Sequence, residues 1–213
     1  MFGHLECLRR ATYSISIASF FLSLLPLQAI EKVRAETRVD EAVEAYGVSG
    51  KNVIVALLDR GIDWENNDFR NEDGTTRIKY IFDLSDASGA NAAGNPYGIG
   101  TIYTEAQINA ALNTGQTLSH RDAVGHGTTT AGIPTGNGRN SLDRKYRGIA
   151  PEASIIAVKV TSDGAPAHGD QPAEAAFYNP GYIPPAIQFV VDKAAELAMP
   201  AVMLLNLGSN GGP

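Results

Sequence analysis

The sequence predicts an α/β fold built on a mainly parallel β-sheet. Three observations carry this expectation. Residues 53–58, 153–160 and 201–207 form apolar runs of strand length with little polar alternation, the pattern of strands buried on both faces. Helical patterns lie between such runs, so that strands and helices alternate along the chain. Glycine is abundant, 22 in 213 residues, and gathers between Gly89 and Gly138, where the chain must turn often.

Taken in order, residues 36–46 suit a short amphipathic helix with Val39, Val43 and Tyr46 on one side and Gly47 as its stop. Lys51 and Asn52 lead into the 53–58 strand, and Asp59 follows it directly. Residues 78–84 form a second strand, and the Gly-, Asn-, Ala- and Ser-rich stretch 85–100 is expected to be a surface excursion. Thr104 can cap a helix over 105–113 that Gly115 ends. The small residues after His126 predict a helix lying close on the sheet, ended or kinked by Pro134. After the 153–160 strand, Pro184 stands near the start of a helix reaching Ala198, with Ile187, Val190, Val191, Ala194 and Ala198 on one face. The 201–207 run predicts a further buried strand, and a parallel sheet stopped there leaves an apolar edge.

Composition narrows the classes of function. Hydrophobic content of 44% with 19% charged residues fits a globular chain with a sizeable core. A net charge of −6 without any basic run argues against a nucleic-acid partner. Residues 1–35 resemble an export signal. Arg9 and Arg10 precede an apolar stretch over 15–27, shorter than the roughly 20 residues a membrane span needs, with cleavage expected after Ala35 or after Ala29. The expectation is therefore a secreted, periplasmic or extracellular protein without stable membrane association once the signal is removed. An uncleaved anchor or a buried helix is the alternative. The only cysteine, Cys7, lies inside that segment, so residues 36–213 offer neither disulfides nor thiolate chemistry.

Two segments carry chemistry. Asp59 stands at the carboxyl end of an apolar strand, where open α/β sheets bind their ligands, and Gly61 allows a tight turn that leaves the carboxylate accessible. A turn aspartate making local hydrogen bonds is the plainer reading of that position. His126 lies between Gly125 and Gly127 at the mouth of a helix. A histidine titrates near neutrality, as a general base should, and the positive end of a helix opposes its charged form, so a carboxylate partner is needed to stabilise an imidazolium there. Asp59 is the candidate partner.

With these residues the chain resembles the subtilisin-like serine peptidases, the subtilase family, from about Tyr46 onward. Val55-Ala56-Leu57-Leu58-Asp59-Arg60-Gly61-Ile62-Asp63 is similar to the family's aspartate motif, and Gly125-His126-Gly127-Thr128-Thr129-Thr130-Ala131-Gly132 to its histidine motif. Arg147-Gly148-Ile149-Ala150-Pro151 resembles its Gly-Val-Ala-Pro segment, and Asn206-Leu207-Gly208-Ser209 its Ser-Leu-Gly strand. The resemblance implies a three-layer subtilisin-like fold, incomplete at the C-terminus, with residues 36–213 as the N-terminal portion of a peptidase domain. It implies Asp59 and His126 as catalytic residues, Asn206, Leu207 and Gly208 as substrate-binding residues, a polypeptide substrate, and no required cofactor, although structural calcium is compatible with the family. The chain departs from the pattern at Arg60, where a small Ser or Thr is usual, at Thr129-Thr130 in place of His-Val, at Pro134 within the histidine helix, and at Asn206. The family's oxyanion asparagine and Gly-Thr-Ser nucleophile motif come later than Gly208 and are not among these 213 residues.

The leading expectation is thus a serine-type endopeptidase represented here without its nucleophile, and this chain alone is expected to be inactive. The alternative is a non-catalytic pseudo-protease or peptide-binding protein, which Arg60 and Thr129 favour. A third reading, metal hydrolysis through His120, Asp122 and His126, leaves the other family segments unexplained.

Overall fold

The computed structural model describes residues 29–164 and 179–207. The chain divides into two units at Ala45–Tyr46. The first contains helix α1 (Ala29–Glu36) and most of helix α2 (Val39–Tyr46). The break between the two helices falls at Arg38, whose φ of 55° is left-handed, so the single helix expected over 36–46 is instead preceded by a second one. Arg34 pairs with Asp40 and Arg38 with Glu41 across the break. Val39 and Val43 are only half-buried and Tyr46 is exposed, so the expected apolar side of α2 is not buried. The expected signal falls mostly outside the described residues, as does Cys7; both cleavage positions lie within α1.

The second unit is built on a five-stranded sheet formed by β1 (Ile54–Asp59), β2 (Ile78–Asp83), β3 (Thr101–Thr104), β4 (Ser154–Lys159) and β5 (Ala201–Leu205), in the order β3-β2-β4-β1-β5. All neighbours are parallel except β2 and β3. Successive strand side chains point to opposite faces, and both faces are covered by helices. Ile54, Ala56 and Leu58 join Phe82, Ile156 and Val158 in one cluster with Ala186, Phe189 and Val190 of helix α5 (Ile183–Glu196). Leu57, Ile81, Ile155 and Ala157 face the other way, toward Ile108 and Ala111 of helix α3 (Glu105–Thr114) and Ala131 of helix α4 (His126–Thr135). The chain is therefore an α/β protein with a mainly parallel sheet between helical layers.

Local signals hold at α3. Thr104 and Gln107 form a reciprocal capping box and Gly115, at φ 70°, ends the helix. Helix α4 runs one residue past Pro134 and closes at Gly136, because the proline removes one backbone donor near the end of the helix rather than in its middle.

The stretch 85–100 is largely at the surface, as expected, while the apolar face of α5 and the burial of the 201–207 run are corrected. The excursion over 85–100 is tied down: the buried Asn95 carboxamide donates to the carbonyls of Gly89, Ile99 and Gly100. It leads into β3, a four-residue antiparallel edge strand whose half-buried residues carry no apolar run. The apolar face of α5 centres on Ala186, Phe189 and Val190, while Val191 is exposed. The 201–207 run is not buried: β5 pairs only with β1 among the described residues, and Val202 remains 61% exposed, with Met203 and Leu205 exposed beside it.

Phe189 is fully buried and meets Phe82 at 4.6 Å and Tyr80 and Tyr97 edge-on. Phe189→Ala is expected to cost about 3–5 kcal/mol in urea unfolding. The exposed β5 edge is a template for pairing with a second chain. Val202→Lys together with Leu205→Lys should leave the thermal midpoint of the 213-residue chain unchanged while lowering its light scattering.

Candidate active site

Parallel pairing aligns the carboxyl ends of β2, β4 and β1, and the last residue of each is charged. Asp83, Lys159 and Asp59 sit side by side in register, all almost fully buried. Two of the three carry a histidine. Asp59 Oδ1 lies 2.6 Å from His126 Nδ1, and Asp83 Oδ2 lies 2.7 Å from His120 Nδ1.

The two pairs differ in access. His126 opens α4, and its side chain is 42% exposed while that of Asp59 is 2% exposed. With Nδ1 committed to the carboxylate, the imidazole carries its proton there, and Nε2 makes no hydrogen bond to a described residue. It borders a cleft of about 770 Å³ whose lining includes Arg60, Thr129, Ile133, Leu204 and Asn206. Such a side chain can accept a proton from a group entering the cleft while its charge is balanced from behind. Asp59 Oδ1 also accepts the Arg60 backbone N–H at 2.7 Å, whereas Oδ2 is buried without a hydrogen-bond partner among the described residues. The Arg60 side chain forms no ion pair with Asp59 and faces the cleft.

The second pair is closed. The His120 side chain is fully buried, and its Nε2 accepts the Ile62 N–H at 3.1 Å. Asp83 Oδ1 accepts the backbone N–H and hydroxyl of Ser85. Burial pushes the Asp83 carboxyl up, but the hydrogen bonds from His120 and Ser85 and the charge of Lys159 together hold it below the ordinary carboxylate range. Lys159 Nζ donates to the Arg121 carbonyl at 2.9 Å and pairs with Asp163. For Asp163, too, burial acts upward and is outweighed by Lys159 and Arg121.

Backbone contact fixes the geometry. Gly61 has φ 118°, and a Cβ there would lie 2.5 Å from the Arg121 carbonyl oxygen; a Cβ on Gly127 would overlap the Gly61 carbonyl oxygen. Alongside, the Asp63 N–H donates to Thr128 Oγ1 at 2.8 Å. Asp122 caps the start of α4, accepting from Gly125 N–H, Thr128 N–H and the Thr128 hydroxyl.

The structure thus brings Asp59, His126 and Asn206 together. Asn206 lies just past β5, its Nδ2 donating to Thr130 Oγ1 at 3.3 Å, and lines the same cleft. Leu207 packs toward the α5 face of the sheet, and Gly208 lies outside the described residues. The metal reading does not fit. His120 lies in the core rather than in an open polar loop, Asp122 is spent on capping, His126 is held by Asp59, and no metal-holding group of His, Cys, Asp or Glu occurs among the described residues. The Asp68 carboxylate accepts the Asn140 N–H at 2.7 Å. Thr129, one of the departures, turns its hydroxyl back onto the Gly125 carbonyl. Sequence reasoning missed Asp83 and Lys159, although each is a charge ending an apolar strand, the same signal that marked Asp59.

A model described as the subtilase family matches residues 50–179. Among solved structures the chain is similar to the CspB protease of Clostridium perfringens, at 29% identity and a TM-score of 0.64 over 82% of this chain and 32% of that one. The chain therefore spans about a third of the length of that protease. No curated protein matches. No helix among the described residues is long and apolar enough to cross a membrane.

Gly127→Ala is expected to destabilise the protein by ~1–3 kcal/mol, because the added methyl must push the Gly61 turn away. Urea denaturation of the variant checks the value, and an unchanged midpoint would mean that the two segments are not in contact.

Proposed function

The chain belongs to the subtilase family, and from that premise we propose that it supplies the aspartate and histidine of a serine endopeptidase site whose serine lies outside these 213 residues. The observation that carries the reading is the Asp59–His126 hydrogen bond at the floor of an open cleft. In this mechanism His126 Nε2 takes the proton of the serine hydroxyl as the serine oxygen attacks the peptide carbonyl carbon. The imidazolium, held and balanced by Asp59, then gives the proton to the leaving amine, and water releases the acyl group by the same route. An oxyanion donor, like the serine, would come from the remainder of the domain. The backbone around Asn206 and Gly208 would hold the substrate chain in extended form. The chemistry invokes no cofactor, and the export signal read in residues 1–35 supports a location outside the cytoplasm.

A second reading is a non-catalytic peptide-binding relative. It is favoured by Arg60 at the cleft and by Asp59 Oδ2, which lacks a hydrogen-bond partner among the described residues. Sequencing beyond codon 213 for a Gly-Thr-Ser motif, and treating the complete protein with a fluorophosphonate, separates the two. Labelling of one serine supports the peptidase, whereas a complete protein that stays unlabelled supports the binder. The 213-residue chain alone should remain unlabelled in either case.

In the complete enzyme, His126→Ala should lower kcat by several orders of magnitude and Asp59→Asn by about 10⁴-fold, since the asparagine no longer holds the working tautomer. Asp63→Asn should be mild, because its exposed carboxylate accepts a local hydrogen bond from the Glu65 N–H. Arg60→Ser should leave activity unchanged or raise it. Values of kcat/KM on an unstructured peptide test all four, and a crippling Asp63→Asn beside a mild Asp59→Asn would reverse the assignment.

A further inference from the structure

Two contacts flank the Asp59–His126 bond where the turn after β1 meets the segment leading into α4. The Asp63 N–H reaches Thr128, and the Ile62 N–H reaches Nε2 of His120. The second contact is chemically conditional. An imidazole nitrogen accepts an N–H only through a free lone pair, so Nε2 must be unprotonated and the ring's one proton must lie on Nδ1. Asp83 imposes that state: its Oδ1 is occupied by the two donors of Ser85, and its Oδ2 stands 2.7 Å from Nδ1 as an acceptor. The backbone next to the ring is fixed as well, since the adjacent Arg121 carbonyl accepts from Lys159, itself seated between Asp83 and Asp59.

Resting on the reading of Asp59 and His126 as the catalytic pair, we propose that His120 is a positioning residue for that pair, fixed by Asp83 as the neutral Nδ1–H tautomer and hooking the Asp59 turn through the Ile62 N–H. The fully buried ring does not line the cleft that His126 borders and handles no proton of the reaction. It holds the turn by a hydrogen bond, as Gly61 and Gly127 hold it by close approach. Asparagine at position 83 would keep its oxygen on the two Ser85 donors and turn its NH2 toward His120 Nδ1. That drives the ring proton to Nε2, where it faces the Ile62 N–H.

The test uses the complete protein with nitrogen-15-labelled histidine. His120 should show a protonated Nδ1 and a bare Nε2 at pH 7. Asp83→Asn should invert that pattern, speed exchange of the Ile62 amide, and shift the His126 Nδ1 signal. His120→Ala should produce the same His126 shift, while His120→Gln, whose carboxamide can donate to Asp83 and accept from Ile62, should restore it. In the active enzyme Asp83→Asn and His120→Ala should lower kcat by about 10²-fold with KM little changed, the size expected of a misplaced catalytic group, and His120→Gln should recover most of that loss. Should a variant fail to fold, the tautomer of the wild-type His120 still decides, since a protonated Nε2 overturns the proposal. So does a His126 signal that His120→Ala leaves unmoved. If the wild-type protein has no peptidase activity, the reading of the site fails, and the nitrogen-15 data still report whether His120 positions the Asp59–His126 pair.

Discussion

The turn after β1 and the first turn of α4 approach each other to backbone contact, and the Asp59–His126 distance follows from that approach. Both segments carry glycine: a side chain on Gly127 would meet the Gly61 carbonyl, and one on Gly61 would meet the Arg121 backbone in the loop leading into α4. The short hydrogen bond between carboxylate and imidazole is therefore not left to two side-chain rotamers. It lies between two segments that are also joined at Thr128 and His120. A dyad held from backbone to backbone keeps its geometry without spending side-chain entropy on each encounter.

The second constraint is electrostatic. Ending three adjacent parallel strands on Asp83, Lys159 and Asp59 buries three charges in one row, an arrangement that is unfavourable unless each is partnered. The lysine lies between the two carboxylates and takes its own partners from the Arg121 carbonyl and Asp163, while each carboxylate takes a histidine. The row thus draws the loop containing His120 and Arg121 onto the sheet, and that loop carries the chain into α4. One Asp–His pair opens to the cleft and the other is sealed.

β5 joins the cleft to the edge of the sheet. Alternation along an extended chain sends Leu204 and Asn206 to the α4 side, where they help to line the cleft, and Leu207 to the α5 side. Val202, Met203 and Leu205 remain exposed on the outermost strand. The cleft therefore has one wall on the least covered strand of the sheet among the described residues.

Much of this was legible in the residues themselves. Local rules act over a few positions, so the apolar runs ending at Asp59 and Lys159, the Thr104 cap, the Gly115 stop and the small-residue helix after His126 are determined by the sequence, as is the pairing of an aspartate motif with a histidine motif. The sequence also contains β3, the break at Arg38 and the exposure of β5, but these depend on which strand or helix is adjacent and leave no periodic trace in four or five residues. His120 shows the limit best. Among polar neighbours in sequence it resembles an exposed loop histidine, yet it is buried, because Asp83 lies 37 residues away in sequence and 2.7 Å away in space. The sequence determined which groups are available and the strand ends that present them; only the tertiary structure, by setting strand order and register, decided which carboxylate faces which imidazole and which pair meets solvent.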